Sequence, residues 1–260
     1  MLRHTFVIAK HEDITIQITN MKNIFITAIS FLVLFSSCRE IFAKRIRGNG
    51  RISTQTHSVN QFTSIEVSGN IDVYAKQDSA TSVKVDADEN LQEYVDIYND
   101  GSVLRIRPKE GYNLRPSRQI KVYVSNPSYS KFGASGACDI FSEGKITSSS
   151  EISFDLSGSC NATMELNAPK ISSDLSGACG LKLKGETKDF SVHGSGSTDI
   201  KCMDLIAENV EVDISGAGDA EVYASTKLNV EVSGAGDVKY KGNAAVNERR
   251  SGAGSIRKID

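Results

Sequence analysis

The chain has 260 residues, a net charge of −2, 7% aromatic residues, no tryptophan and 21 glycines. Binding a phosphate backbone needs a clear basic surplus, so nucleic acid is excluded as the expected partner. Few aromatic residues and many small turn residues suit a single exported β-domain.

Residues 1–20 contain Glu12 and Asp13 and no apolar core, and they read as an over-annotated extension, with Met21 as the initiator. Residues 21–38 have a signal-peptide layout. Lys22 supplies the basic start, Ile24 to Phe35 the apolar run, and Ser36-Ser37-Cys38 the end. The run is too short to span a membrane. Small residues before Cys38 resemble a bacterial lipoprotein box, with Phe35 where leucine is usual. Three outcomes stay open, taken in this order: lipidation at Cys38, ordinary cleavage near Ala43, and an uncleaved segment. Residues 39–47 then form a short basic tether.

Residues 48–134 form an N-terminal β-region with divergent repeats. Ile65 to Tyr74 reads strand, turn, strand around Ser68-Gly69. Between Leu91 and Ile97 a helical spacing competes with a strand through Tyr94–Tyr98. Asn99-Asp100-Gly101 is a hairpin turn into Val103–Arg107, and Ile120, Val122 and Val124 alternate as a half-buried strand does.

Residues 135–260 carry a motif that recurs seven times, beginning at Ser135, Ser157, Ser176, Ser195, Ser215, Ser233 and Ser251. Each serine is followed by glycine: Gly136, Gly158, Gly177, Gly196, Gly216, Gly234 and Gly252. The steps of 22, 19, 19, 20, 18 and 18 residues are the period of a solenoid. Each repeat holds two short alternating strands, with a second break expected at stretches such as Ala224-Ser225-Thr226-Lys227. Columns such as Ile152, Phe154, Leu156 and Val210, Val212, Ile214 are apolar, with polar residues between them. One face of each strand points inward, and successive coils must stack to bury it. The expected fold is all-β, a parallel β-helix with two main sheets and Ser-Gly-Ala-Gly turns, its coils about 4.8 Å apart. In the last repeat Val246, Glu248 and Arg250 fall in the inward column, which suits a charged cap against edge-to-edge stacking.

Arg47-Gly48-Asn49-Gly50, Phe62 to Val73 and the serial Ser-Gly-Ala-Gly turns together resemble the head GIN domain family of Bacteroidota, described as autotransporter adhesins. The resemblance covers roughly residues 47–258. It implies a right-handed, pectin-lyase-like parallel β-helix, a role in cell adhesion and a trimer-like homo-oligomer. It offers no catalytic residues to carry over.

Several constellations admit two readings. Cys138, Cys160 and Cys179 share one motif position: a ladder of small side chains, one disulfide, or a metal site. Cys202 falls in an inward column and reads as core. Asp139, Asn161, Asp199, Asp219 and Asp237 form a column that is either a Ca²⁺ ladder or a set of side chains closing their own turns. Lys109, Tyr112, Arg115 and Arg118 lie on one loop that is either a contact for an acidic glycan or protein partner or simply solvated. His193 reads as a surface or edge residue, with no orienting carboxylate to name. No catalytic residue, metal or cofactor is expected.

The sequence thus points to a non-enzymatic, lipid-anchored outer-membrane protein with an adhesion or binding role, facing the periplasm or the exterior. Its partners would be a host or surface glycan or protein. The alternatives are an envelope-sensing protein and a polysaccharide-active enzyme working through outward acids such as Asp155, Glu211 and Glu231, the latter supported by fold analogy alone.

Overall fold

The computed structural model describes residues 43–259, so Cys38, the signal segment and residues 1–20 lie outside it. In chain order the strands are β1 (Lys44–Arg47), β2 (Ile52–His57), β3 (Ser64–Gly69), β4 (Ile71–Gln77), β5 (Ser82–Asp88), β6 (Val95–Asp100) and β7 (Val103–Pro108). They continue as β8 (Tyr112–Arg115), β9 (Ile120–Asn126), β10 (Lys131–Gly136), β11 (Asp139–Thr147), β12 (Ile152–Gly158) and β13 (Asn161–Gly177). Last come β14 (Gly180–Gly196), β15 (Asp199–Gly216), β16 (Asp219–Gly234), β17 (Val238–Lys241), β18 (Ala245–Gly252) and β19 (Ile256–Lys258). The fold is an all-β solenoid of parallel stacked coils.

Two main sheets enclose the core. Sheet A contains the strands that lead into the Ser-Gly turn, and sheet B those that leave it. In sheet A, Phe154 pairs with Ser173, Ser173 with Val192, Val192 with Val212 and Val212 with Val230. This register stacks like columns, and those side chains are buried from one coil to the next. Tyr129, Phe132 and Phe154 stack at centroid distances of 5.3 and 5.5 Å, giving the upper coils an aromatic spine.

The turn motif holds coil to coil. Gly158 has a φ of 90°, and a Cβ there would lie 2.6 Å from the carbonyl oxygen of Gly136. Only glycine admits that approach and that backbone. The approach makes a bond one residue on, where the Ser159 N–H donates to the Gly136 carbonyl at 2.7 Å. The same bond recurs from Ala178 to Gly158, Ser197 to Gly177 and Ala217 to Gly196, at 2.7, 2.8 and 2.8 Å.

The second break expected in each repeat is present between β11 and β12 and between β17 and β18, but in the four middle coils it is not a break. β13, β14, β15 and β16 run unbroken for 17, 17, 18 and 16 residues, so parallel pairing bends through the far corner and joins the two sheets. Polar stretches there keep their backbone bonds because each coil supplies partners for the next. Uneven steps are absorbed by irregular pairing. β11 bulges between Phe141 and Lys145, which accommodates the 22-residue step, and pairing shifts again between Cys202 and Ile206.

Chain order and spatial order part at the N-terminal end. The β3–β4 coil lies between two others: β10 and β11 stack on one side of it, β7 and β9 on the other. The stack then closes with antiparallel strands, β6 on β7 and β5 on β9, with β2 on β5. The compositional boundary at residue 134 falls inside β10. The Asn99-Asp100-Gly101 turn forms its hairpin, pairing Asp100 with Val103. The ambiguous stretch resolves into a 3₁₀ turn at Gln92–Tyr94 followed by β6.

At the other end β18 lies in register on β16, placing Val246, Glu248 and Arg250 over Leu228, Val230 and Val232. All of β18 is exposed, while the three residues beneath are buried. The charged inward column therefore forms the outer surface of the last coil.

Candidate functional site

Because the coils repeat in register, the outward side chains form straight rows. Three run along sheet A. The outermost is the motif serine, from Ser68 and Ser135 through Ser157, Ser176, Ser195, Ser215, Ser233 and Ser251. Beside it runs Asp155, Asp174, His193, Asp213, Glu231 and Arg249. The third contains Ser153, Ser172, Ser191, Glu211, Asn229 and Asn247. The outward acids Asp155 and Glu231 thus share a row, whereas Glu211 stands one row over.

Like charges one coil apart repel, and this row offsets them unevenly. Lys131 reaches Asp155 at 3.4 Å, and the His193 imidazole stands 3.6 Å from the Asp213 carboxylate. His193 is exposed, and Asp174 and Asp213 flank it from the coils on either side, so it has carboxylate neighbours that sequence distance concealed. Two shallow depressions lie along this face. One, of about 250 Å³, is lined by Asp155, Asp174, Ser176, His193, Asp213 and Ser215. The other, of about 220 Å³, is lined by Glu211, Asp213, Asn229, Glu231, Asn247 and Arg249. Hydroxyl, amide, carboxylate, imidazole and guanidinium groups at coil spacing offer alternating donors and acceptors to an extended polar ligand.

Sheet B has a different outer surface. Several of its carboxylates are matched: Lys145 and Lys184 both reach Glu165, at 3.8 and 2.9 Å, and Lys239 reaches Glu221 at 2.9 Å. Lys184 and Lys145 hold the Glu165 carboxyl below its ordinary range. Near the N-terminal end Tyr123, Tyr74 and Phe141 stack at 5.1 and 5.0 Å, and the Lys121 ammonium lies 5.3 Å from the Tyr74 ring. Their faces cover one another, so the row is a seam joining three coils. Sequence reading missed it because the rings come from three distant strands.

Most of the aspartate column bonds between coils rather than within its own turns; Asp199 instead accepts from Lys201 in its own strand. Asp219 accepts the Asp237 backbone N–H at 3.0 Å. Asp237 accepts the Ser255 N–H and hydroxyl at 2.8 and 2.7 Å, and those bonds depress its pKa. Asn161 donates to Asp139 at 2.8 Å. Among the described residues, no three His, Cys, Asp or Glu side chains converge as metal ligands.

The cysteine column faces inward. Cys138, Cys160 and Cys179 are buried free thiols, and each donates to the carbonyl of its own motif serine, at 3.4, 3.2 and 3.3 Å. Thr198 continues the column with its hydroxyl buried and unpartnered. A Cβ at Gly218, next in line, would come 2.1 Å from that oxygen, so the larger residue at 198 requires glycine one coil on. Cys202 is core, and burial raises its thiol pKa to about 12.

The loop holding Lys109, Tyr112, Arg115 and Arg118 is partly a strand, since β8 pairs with β1. Lys109, Arg115 and Arg118 are exposed, whereas Tyr112 is half-buried and packs on Tyr94 with centroids 4.7 Å apart. Behind this region Asp88 is fully buried. It accepts the Gly50 N–H at 2.7 Å and the Ser117 N–H and hydroxyl at 2.8 and 2.6 Å. Burial alone would raise its pKa, but these hydrogen bonds outweigh it and hold the carboxyl below its usual range. A Cβ on Gly48 would strike this carboxylate at 2.2 Å. The Gly48-Asn49-Gly50 signature is therefore the collar of a buried carboxylate, which no local pattern foretold.

Comparison with known proteins agrees with this architecture. Among curated proteins nothing matches the chain. A structure described as a "putative adhesin" from Bacteroides fragilis superposes with a TM-score of 0.77 at 21% identity, covering 82% of this chain and 100% of that one. A second, described as a "putative adhesin" from Parabacteroides distasonis, gives 0.65 at 26% identity over 83% and 100%. A third, described as a "putative lipid binding protein" from the same species, gives 0.64 at 24% over 84% and 100%. The family model described as "Putative auto-transporter adhesin, head GIN domain" matches residues 61–244. That span is most of the chain, and the chain belongs to this family.

Proposed function

We propose that this protein is an exported, lipid-anchored, non-enzymatic binding protein of the cell envelope, held in the outer membrane through Cys38. Its solenoid is a rigid rod whose sheet A face contacts a host or surface glycan or protein. The observation that carries this reading is the outer surface of sheet A. Its three polar rows run unbroken from coil to coil, with two depressions along them. Such a surface presents polar groups at a constant coil spacing along its length, which suits contact with an extended ligand. The family and the structures named as adhesins support the same role and a surface or envelope location. The trimeric assembly implied by the family is part of the proposal.

The test is a glycan and matrix-protein array probed with the purified chain, with mass measured by light scattering in the same buffer. Saturable binding, weakened by Asp174→Ala and His193→Ala, is expected. Binding indifferent to both substitutions would move the site elsewhere. Cleavage of an acidic polysaccharide, lost in Asp155→Ala or Glu231→Ala, would replace adhesion with the enzymatic reading, although these two acids stand four coils apart in their row, too far to act as one pair.

A further inference from the structure

We infer that the last coil receives an extended acidic segment of a partner protein, which adds to β18 as a further strand. The face adjoins the sheet A rows, one of which ends at Arg249, and three observations carry it.

The first is an open edge. Among the described residues β18 pairs with β16 alone and β19 with β17 alone, so each strand has one free hydrogen-bonding side. β18 is eight residues long and exposed throughout. Strand addition needs such an edge, because main-chain bonds supply affinity and alternate side chains supply specificity.

The second is charge. Between Val238 and Lys258 stand Lys239, which is paired with Glu221 on the coil beneath, and Lys241, Arg249, Arg250, Arg257 and Lys258, with Glu248 as the single acid. The whole chain has a net charge of −2, so this end is basic on a rod that is otherwise acidic. A guard against edge-to-edge aggregation needs only a charge or two; this coil concentrates far more than that, all but one of the same sign.

The third is the placement of those charges. Arg249 faces outward at the end of the Asp155–Glu231 row, and Arg250 faces inward over Val232. An added strand would pass between them, with acidic side chains meeting a guanidinium on each of its faces. A second copy does not fit tip to tip, because two basic tips would repel. A lipid surface offers no register of donors and acceptors for the strand edge.

The experiment measures fluorescence anisotropy of a labelled eight-residue peptide alternating glutamate and threonine against the full chain. Three comparators accompany it: the same peptide with lysine for glutamate, an acidic peptide interrupted by prolines, and anionic phospholipid vesicles. Hydrogen exchange is followed in β18. The expected result is saturable binding of the acidic strand peptide alone, with new amide protection in β18. Binding should fall at least tenfold in an Arg249→Glu/Arg250→Glu variant. It should be unchanged in Lys182→Glu/Lys201→Glu, which makes the same charge change at mid-rod on sheet B, and in Asp174→Ala. That last control separates this proposal from the sheet A face.

Equal binding of the proline-interrupted peptide would reduce the effect to charge and overturn strand addition. So would absence of binding, which would leave the basic tip as a guard. Protection of β18 that grows with protein concentration and no peptide would assign the edge to a second copy. Tighter binding to vesicles, lost in the same variant, would assign it to a membrane. Either result overturns the proposal.

Discussion

The repeat coils and the N-terminal closure solve the same problem in different ways. In the coils from β12 to β16, a hydrogen bond or a side-chain contact made once is made again one coil later, as in the Ser159–Gly136 and Ala178–Gly158 bonds. Stability there is a sum of similar nearest-neighbour terms. The closure has no neighbour to copy. It reverses strand direction at β5 and β6 and satisfies its buried backbone with single polar side chains. Asp88 gathers Gly50 and Ser117, and the Gln92 amide donates to Ser53 and Val85 at 2.7 and 3.1 Å. The Asn126 amide donates to Phe62 and Ser128 at 2.6 and 2.7 Å. A repeat can be held by columns, whereas an end needs named residues, each without a substitute.

The difference can be tested by substitution. In the columns the largest effect is expected from Phe154→Ala. The ring is 1% exposed and stacks on Phe132, and its neighbour one coil on is the small Ser173, so the cavity cannot close. A loss of about 3–5 kcal/mol in urea unfolding is expected. A much smaller loss would mean the coil collapses around the gap.

At the closure, Asp88→Ala removes one side chain and leaves the Gly50 and Ser117 N–H groups without their acceptor. A cost of about 1–3 kcal/mol is expected. This residue also gives the closure an acid dependence. Its folded pKa lies below the free value, so its stabilisation is full above a pH of about 4 and is lost as pH falls through the folded pKa. Asp88→Asn should flatten that part of the stability–pH curve while leaving the slope above pH 6 unchanged. An unaltered acid limb would show that other carboxylates set it.

A gain is expected at Ser173. Its hydroxyl is buried without a partner, in a column that reads Phe154, Ser173, Val192. Ser173→Ala should raise stability by about 1 kcal/mol, because the unmet polar group costs more than the small volume lost. A destabilised variant would reveal a partner for the hydroxyl. The smallest effect belongs to the outer rows: Asp174→Ala should shift stability by no more than about 0.5 kcal/mol, making it a clean probe of binding.

Much of the fold was legible because a solenoid writes its tertiary contacts into its period. Once Val210, Val212 and Ile214 alternate and recur as Leu228, Val230 and Val232, the side chains that must stack are already aligned in the sequence. The positive backbone angle at the motif glycines follows in the same way. The candidate face was legible only in part. Asp155 and Glu231 were visible as outward acids, but that Glu211 belongs to the next row and that His193 sits between Asp174 and Asp213 emerges only when every coil is aligned on its motif serine, because these neighbours lie a full coil apart in the chain.

The sequence by itself determined the repeat, the inward columns, the charged last coil and the family, since each depends on local alternation and on like residues stacking on like. Only the tertiary structure decided that the β3–β4 coil lies between its two successors. The same holds for the continuous far corner, the aspartates that bond one coil onward and the Tyr123–Tyr74–Phe141 seam. Each of these joins segments whose pairing depends on loop closure and on which strand edge remains free. Alternation within a strand says which side chains face inward; it does not say which strand comes to lie beside it.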